Sequence, residues 1–146
     1  MATSALAVIV LWLTFLPGAA MAEATHAVTV YKSPSCGCCA KWVEHLIQNG
    51  FQVRTHNVAD VSAERQRLGM PSQYSSCHSA KVGRYAVEGH VPAADIKRLL
   101  REKPDAVGLA VPSMPPGSPG MESDKPVPYD TLLVQRNGTY RIFSRH

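Results

Sequence analysis

Residues 27–58 read AVTVYKSPSCGCCAKWVEHLIQNGFQVRTHNV, and this stretch decides the fold. Ala27-Val28-Thr29-Val30-Tyr31 is a compact run rich in β-branched residues, which favour a pleated strand. A Ser33-Pro34-Ser35 turn follows, and then Cys39, Trp42, Val43, Leu46 and Ile47 recur at helical spacing until Asn49-Gly50 ends the pattern. Alternation resumes from Phe51 to Val58 as a second strand. Strand, helix and strand in this order predict a βαβ unit with parallel strands and a right-handed crossover. Cys36, Cys38 and Cys39 then fall where the first helix begins.

Downstream, Ser62 is a candidate cap for a short helix through Arg67, which Gly69 and Pro71 bring to an end. A loop carries Cys77-His78. Val82, Tyr85 and Val87 suggest a third strand, and Pro92 opens a helix over 93–101 with Ile96, Leu99 and Leu100 on its apolar stripe. Residues 113–121 are too rich in Pro and Gly for regular structure and read as an ordered loop or a tether. Residues 131–135 and 139–143 flank Asn137-Gly138, a strong hairpin signal that also accounts for the Asn-Gly-Thr glycosylation pattern. The elements predict a small α/β sandwich of thioredoxin type, with a mixed sheet, flanking helices and a C-terminal β-hairpin.

The chain of 146 residues, 45% of them hydrophobic, can build one core. Residues 1–22 differ from the rest. An apolar run over 6–16, a Pro17-Gly18 break and Ala20-Met21-Ala22 predict a signal peptide, leaving a mature domain of residues 23–146. The run is shorter than the roughly 20 residues a membrane span needs, which weighs against the alternative of an uncleaved anchor and against stable membrane insertion after cleavage. The net charge of +4 is scattered over the mature part without a basic block or interleaved aromatics, so nucleic acid is not an expected partner.

Three of the four cysteines lie within four residues, and the fourth is Cys77. At a helix start, unpaired amides and the macrodipole favour thiolate over thiol for the Cys36–Cys39 C-x-x-C pair, and Lys32 and Lys41 act in the same sense. That suits a thiol-disulfide oxidoreductase as well as a metal site. Cys38 separates the two, because a third adjacent thiol invites wrong pairing in a redox centre but is useful to a soft cation. Two structural disulfides remain the plain alternative for an exported chain. Zinc prefers four unstrained tetrahedral ligands, whereas Cu(I) accepts two or three thiolates and shares bridging sulfurs in a multinuclear site. His78 adds an imidazole beside Cys77, and Met114 and Met121 add thioethers, although each of the three also has an ordinary packing or loop role. His26, His45, His56, His90 and His146 read as structural or exposed, Met70 as helix-end packing and Trp42 as core.

Together, YKSPSCGCCAKW, SCHSA at 76–80, VEGHVPAADIKRLL at 87–100 and GLAVPSMPPGSPGME at 108–122 resemble the CopG-like bacterial metal-binding family over about residues 28–134. The resemblance implies a thioredoxin-like fold, a periplasmic address, association with copper resistance, and copper held by Cys36, Cys38, Cys39 and Cys77, with Met114 and Met121 in a Met-Pro loop. Ser79 stands where the family usually has threonine. The expectation is a periplasmic protein that sequesters Cu(I) and exchanges it with other periplasmic copper-handling proteins. Whether it also turns over as an enzyme, through copper or through a Cys36–Cys39 disulfide, is open at this level.

Overall fold

A computed structural model describes residues 26–146. The expected leader over 1–22 lies outside the described residues. Among the described residues the chain forms β1 (Ala27–Lys32), α1 (Gly37–Gln48), β2 (Gln52–Asn57), α2 (Val61–Arg67), a single 3-10 turn (Ser72–Tyr74), β3 (His78–Val82), β4 (Tyr85–Gly89), α3 (Ala93–Glu102), β5 (Gly108–Val111), β6 (Asp130–Val134) and β7 (Tyr140–Arg145). One mixed sheet takes the order β2-β1-β3-β4-β5-β6-β7.

The βαβ unit is present: β1 and β2 are parallel, with Ala27 opposite Gln52 and Lys32 opposite Asn57. β2 is an edge strand with Gln52 and residues 54–57 exposed, so its alternation reflects an edge rather than a buried face. The expected single third strand is two. Gly83-Arg84 turns the chain so that β3 and β4 pair antiparallel, with Ser79 opposite Glu88 and Val82 opposite Tyr85. Gly83 adopts φ +56, a conformation that favours glycine, and this is why a run that looked continuous is a hairpin. β5 is a strand absent from the sequence reading; four buried residues bounded by Gly108 and Pro112 are too short to display a period. The expected C-terminal hairpin forms as β6 and β7, with Gly138 donating its N–H to Gln135.

Both faces of the sheet are covered at its centre. Trp42 and Leu46 of α1 and Ile96 and Leu99 of α3 pack with Val30, Ala80, Val82, Val87, Leu109 and Val111. On the opposite face Met70 and Tyr74 pack with Ala86, Ala110 and Val134. The central strands β4 and β5 are consequently buried throughout, as expected of strands sandwiched between layers. The N-cap of α2 is Asp60 rather than the expected Ser62, its carboxylate accepting the Ser62 N–H at 2.8 Å. At α3 the N-cap is Pro92, which offers no side chain, and the Ala93 N–H donates instead to His45 Nε2 of α1 at 3.1 Å. No described helix is long and apolar enough to cross a membrane.

Strand direction determines what meets at one edge. β3 runs against both β1 and β4, and β5 runs with β4. The end of β1, the start of β3, the end of β4 and the end of β5 therefore share one side of the sheet. Cys36, Cys77, His90 and the 113–121 loop each follow or precede one of those ends.

Candidate metal centre

The first half of the site is local. Cys36 is the N-cap of α1, its sulfur accepting the Cys39 N–H at 3.3 Å, so the helix start itself sets the position of the cysteines. Cys36 and Cys39, the pair marked by the C-x-x-C spacing, are joined as a disulfide with a Cα–Cα distance of 5.4 Å. Cys38 and Cys77 are free thiols, both half-buried. Cys38 Sγ lies 3.6 Å from Cys36 Sγ and 3.8 Å from Cys77 Sγ. Thirty-nine residues of chain separate the last two cysteines, and the pairing of β1 with β3 brings them together.

The second half is built from Cys77, His78 and His90. Cys77 Sγ is 3.4 Å from His78 Nδ1 and 3.1 Å from His90 Nε2. His90 Nδ1 lies 2.8 Å from the Pro119 carbonyl oxygen, which can only accept, so Nδ1 carries the proton and Nε2 turns its lone pair toward Cys77. His78 points from β3 toward Trp42, with ring centroids 4.4 Å apart, and is fully buried. The potential ligand atoms of Cys36, Cys38, Cys39 and Cys77 all lie within 4.8 Å of one another, and so do those of Cys77, His78 and His90. Cys77 belongs to both groups.

Burial disfavours charge throughout this half. It pushes the Cys77 thiol up to about 12, and the neighbouring Cys38 adds to the shift. Burial, with His90 beside it, brings His78 down to about 3, and burial also lowers His90. The imidazoles are thus neutral bases at neutral pH, as ligands must be, whereas Cys77 must release a proton to bind any cation.

The Pro-rich loop is ordered and closes over the cluster. Gly117 N–H donates to Met121 O at 2.7 Å and Met121 N–H to Ser118 O at 2.8 Å. Gly120 sits at φ +85, where a Cβ would come within 2.7 Å of Cys38 O and 2.8 Å of Trp42 N. Only glycine lets this backbone approach so closely. Glu122 secures the turn by accepting the Gly120 N–H at 2.7 Å. Met121 is half-buried in it, whereas Met114 is 45% exposed.

Of the residues expected from sequence, Cys36, Cys38, Cys39, Cys77 and His78 are therefore assembled, and the two methionines lie on the loop that covers them. His90, read as structural or exposed, is fully buried against Cys77. Its signal was its place after Gly89, at a strand end on the same side of the sheet as the cysteines. That side is defined only once β3 and β4 are recognised as separate strands.

A family model described as a protein of unknown function, DUF411, matches residues 74–121. Two solved structures are similar to nearly the whole described chain. One, titled copper resistance protein copG, form 2, is 46% identical with a TM-score of 0.79, covering 84% of this chain and 98% of its own. Form 1 of the same title is 46% identical with a TM-score of 0.78, covering 82% and 96% respectively. No curated protein matches the chain.

Proposed function

The chain belongs to the CopG copper-resistance family, and from that premise we propose that it is an exported copper-binding protein that holds Cu(I) through Cys36, Cys38, Cys39 and Cys77. The observation that carries this reading is the convergence of four sulfurs within 4.8 Å from two distant segments of chain. Thiolates select Cu(I) over hard cations, and shared sulfurs allow more than one ion in so small a space. His78 and His90 supply neutral nitrogens on the far side of Cys77, and Met114 and Met121 are soft donors on the covering loop. The βαβ start, with cysteines at the first turn of its helix, supports a thioredoxin-like classification of the domain. Residues 1–22 are proposed as the cleaved leader and the periplasm as the destination.

Four thiolates require the Cys36–Cys39 bond to be reduced, taking two electrons and two protons from a dithiol, after which each cysteine gives up its proton as copper binds. Anaerobic metal analysis of the reduced protein, with titration against a Cu(I) chelator of known affinity, tests the reading. Copper retention that depends on all four cysteines is expected. A reduced protein that takes no copper while its four thiols alkylate freely would end it.

The disulfide itself favours a second reading, a thiol-disulfide oxidoreductase in which Cys36 attacks and Cys39 resolves. Cys38→Ser distinguishes the two. Loss of copper stoichiometry with intact disulfide-reductase activity would make catalysis the native use, whereas loss of copper in a protein that never had reductase activity leaves sequestration.

A further inference from the structure

Beneath the cysteine cluster, on the opposite face of the sheet, lies a polar group that the copper site does not use. Glu88 of β4 is fully buried and Arg65 of α2 is 6% exposed, among the least likely residue types to be found there unpaired. Arg65 Nε donates to Glu88 Oε1 at 2.8 Å, and the second face of the guanidinium donates from Nη2 to the Ser76 carbonyl at 2.9 Å. Glu88 Oε1 also accepts the Ser76 N–H at 2.8 Å, and Ser79 Oγ donates to Glu88 Oε2. Both backbone groups of Ser76 are thus held from below. From the other side the Ser76 hydroxyl donates to the Ser113 carbonyl, and the Ser113 N–H donates to Ser75 O at 3.1 Å. Gly89, at φ +70, leaves no room for a side chain, since a Cβ there would lie 2.5 Å from Ser76 Oγ.

Four of these six bonds end on Ser75 or Ser76, immediately before Cys77, and the other two fix Glu88. His78, on the other side of Cys77, is fixed in β3 by its pairing with Lys32. We infer that the Arg65–Glu88 pair is a positioning device for the metal centre: it clamps Ser76 so that the Cys77 sulfur projects between Cys38 and His90 instead of relaxing into solvent with its loop. Arg65 is the one buried residue of α2, and Arg67 of the same helix lies over the Tyr31 ring of β1. Buried ion pairs contribute little net stability compared with apolar replacements of similar size, whereas removing a group that hydrogen-bonds a metal ligand typically costs about 10–100-fold in affinity, and this pair acts one residue away from Cys77, through Ser76. The pair is explained by what it holds.

The inference rests on the copper reading for its functional meaning, and the test separates the two. Arg65→Met combined with Glu88→Gln keeps an acceptor for the Ser76 N–H and leaves no unpaired buried charge, whereas Arg65→Met with Glu88→Leu has the same charge and lacks the acceptor. With the Cys36–Cys39 disulfide intact, only Cys38 and Cys77 react with a maleimide, and mass spectrometry times each one. In the Leu double variant Cys77 is expected to alkylate about tenfold faster with Cys38 unchanged, and Cu(I) affinity to fall by about tenfold; the Gln double variant, which keeps the bond from the Ser76 N–H but not the one from Arg65, is expected to show a clearly smaller change in both. Equal behaviour of the two variants, or Cys38 and Cys77 accelerating together as general loosening would make them, overturns the inference. A split in Cys77 reactivity in a protein that takes no Cu(I) in any form supports the clamp and overturns the copper reading instead.

Discussion

The two halves of the proposed metal centre are held by different means. Cys36, Cys38 and Cys39 occupy the first turn of one helix, where an N-cap bond, a disulfide and four residues of chain place them with almost no help from the rest of the fold. Cys77, His78 and His90 come from the adjoining ends of two strands, β3 and β4, and depend on sheet register, the 113–121 loop and the Arg65–Glu88 clamp. The first half is a local motif, the second a product of long-range pairing. Mutations that leave the helix half in place should therefore be able to dismantle the strand half, and the reverse should be harder.

Trp42 joins the halves and gives the largest expected effect. Its ring is fully buried against His78 and its Nε1–H donates to Val91 O at 2.8 Å. Trp42→Ala should lower unfolding free energy by about 3–5 kcal/mol in denaturant titrations of the metal-free protein. A loss below about 1 kcal/mol would mean that the halves are not coupled through this ring.

Gly120→Ala attacks the cover alone. A Cβ forced against Cys38 O and Trp42 N at positive φ should cost about 2–3 kcal/mol, or displace the loop and release His90 from Pro119. In the second outcome the His90 ring resonances shift in NMR spectra, and within α1 only the amides that face the loop, such as that of Trp42, shift with them.

His78 makes the strand half pH-sensitive. Its value of about 3 in the fold lies below the ordinary 6.5, so the unfolded chain binds a proton that the folded one refuses. Its contribution to stability is fully present above pH 6.5 and is lost as the pH falls from 6.5 toward 3, with a slope of about 1.4 kcal/mol per pH unit for one proton. Urea midpoints of the metal-free protein across this window should show that slope reduced in His78→Phe. An unchanged slope would place the sensitivity elsewhere.

The smallest effect is expected at Met114. With Met114 45% exposed, Met114→Leu should change stability by less than about 0.5 kcal/mol and Cu(I) affinity by less than about threefold. Chelator competition showing a larger loss would promote the exposed end of the loop to a full ligand.

The helix half was almost completely legible. Alternation in 27–31, helical spacing from Cys39 to Ile47 and the Asn49-Gly50 stop define the βαβ unit, and four-residue crowding of the cysteines follows from chain order alone. Cys77-His78 could be suspected because both residue types bind soft metals, but their proximity to Cys38 could not be derived from spacing. His90 and the clamp were missed for related reasons. A lone histidine after a glycine, a lone glutamate in a strand and an arginine in a polar helix are each ordinary surface residues until the sheet buries them.

Local sequence, then, determines backbone conformation and which residues crowd within a helical turn, because those depend on steric and hydrogen-bonding preferences over a few residues. Tertiary structure alone decided that β3 opposes β1 and β4, so that a sulfur 39 residues from its neighbour, two imidazoles and a glycine-hinged loop meet at one edge. Strand order and register are settled by burying both faces of the whole sheet at once, and no short window of the chain contains that information.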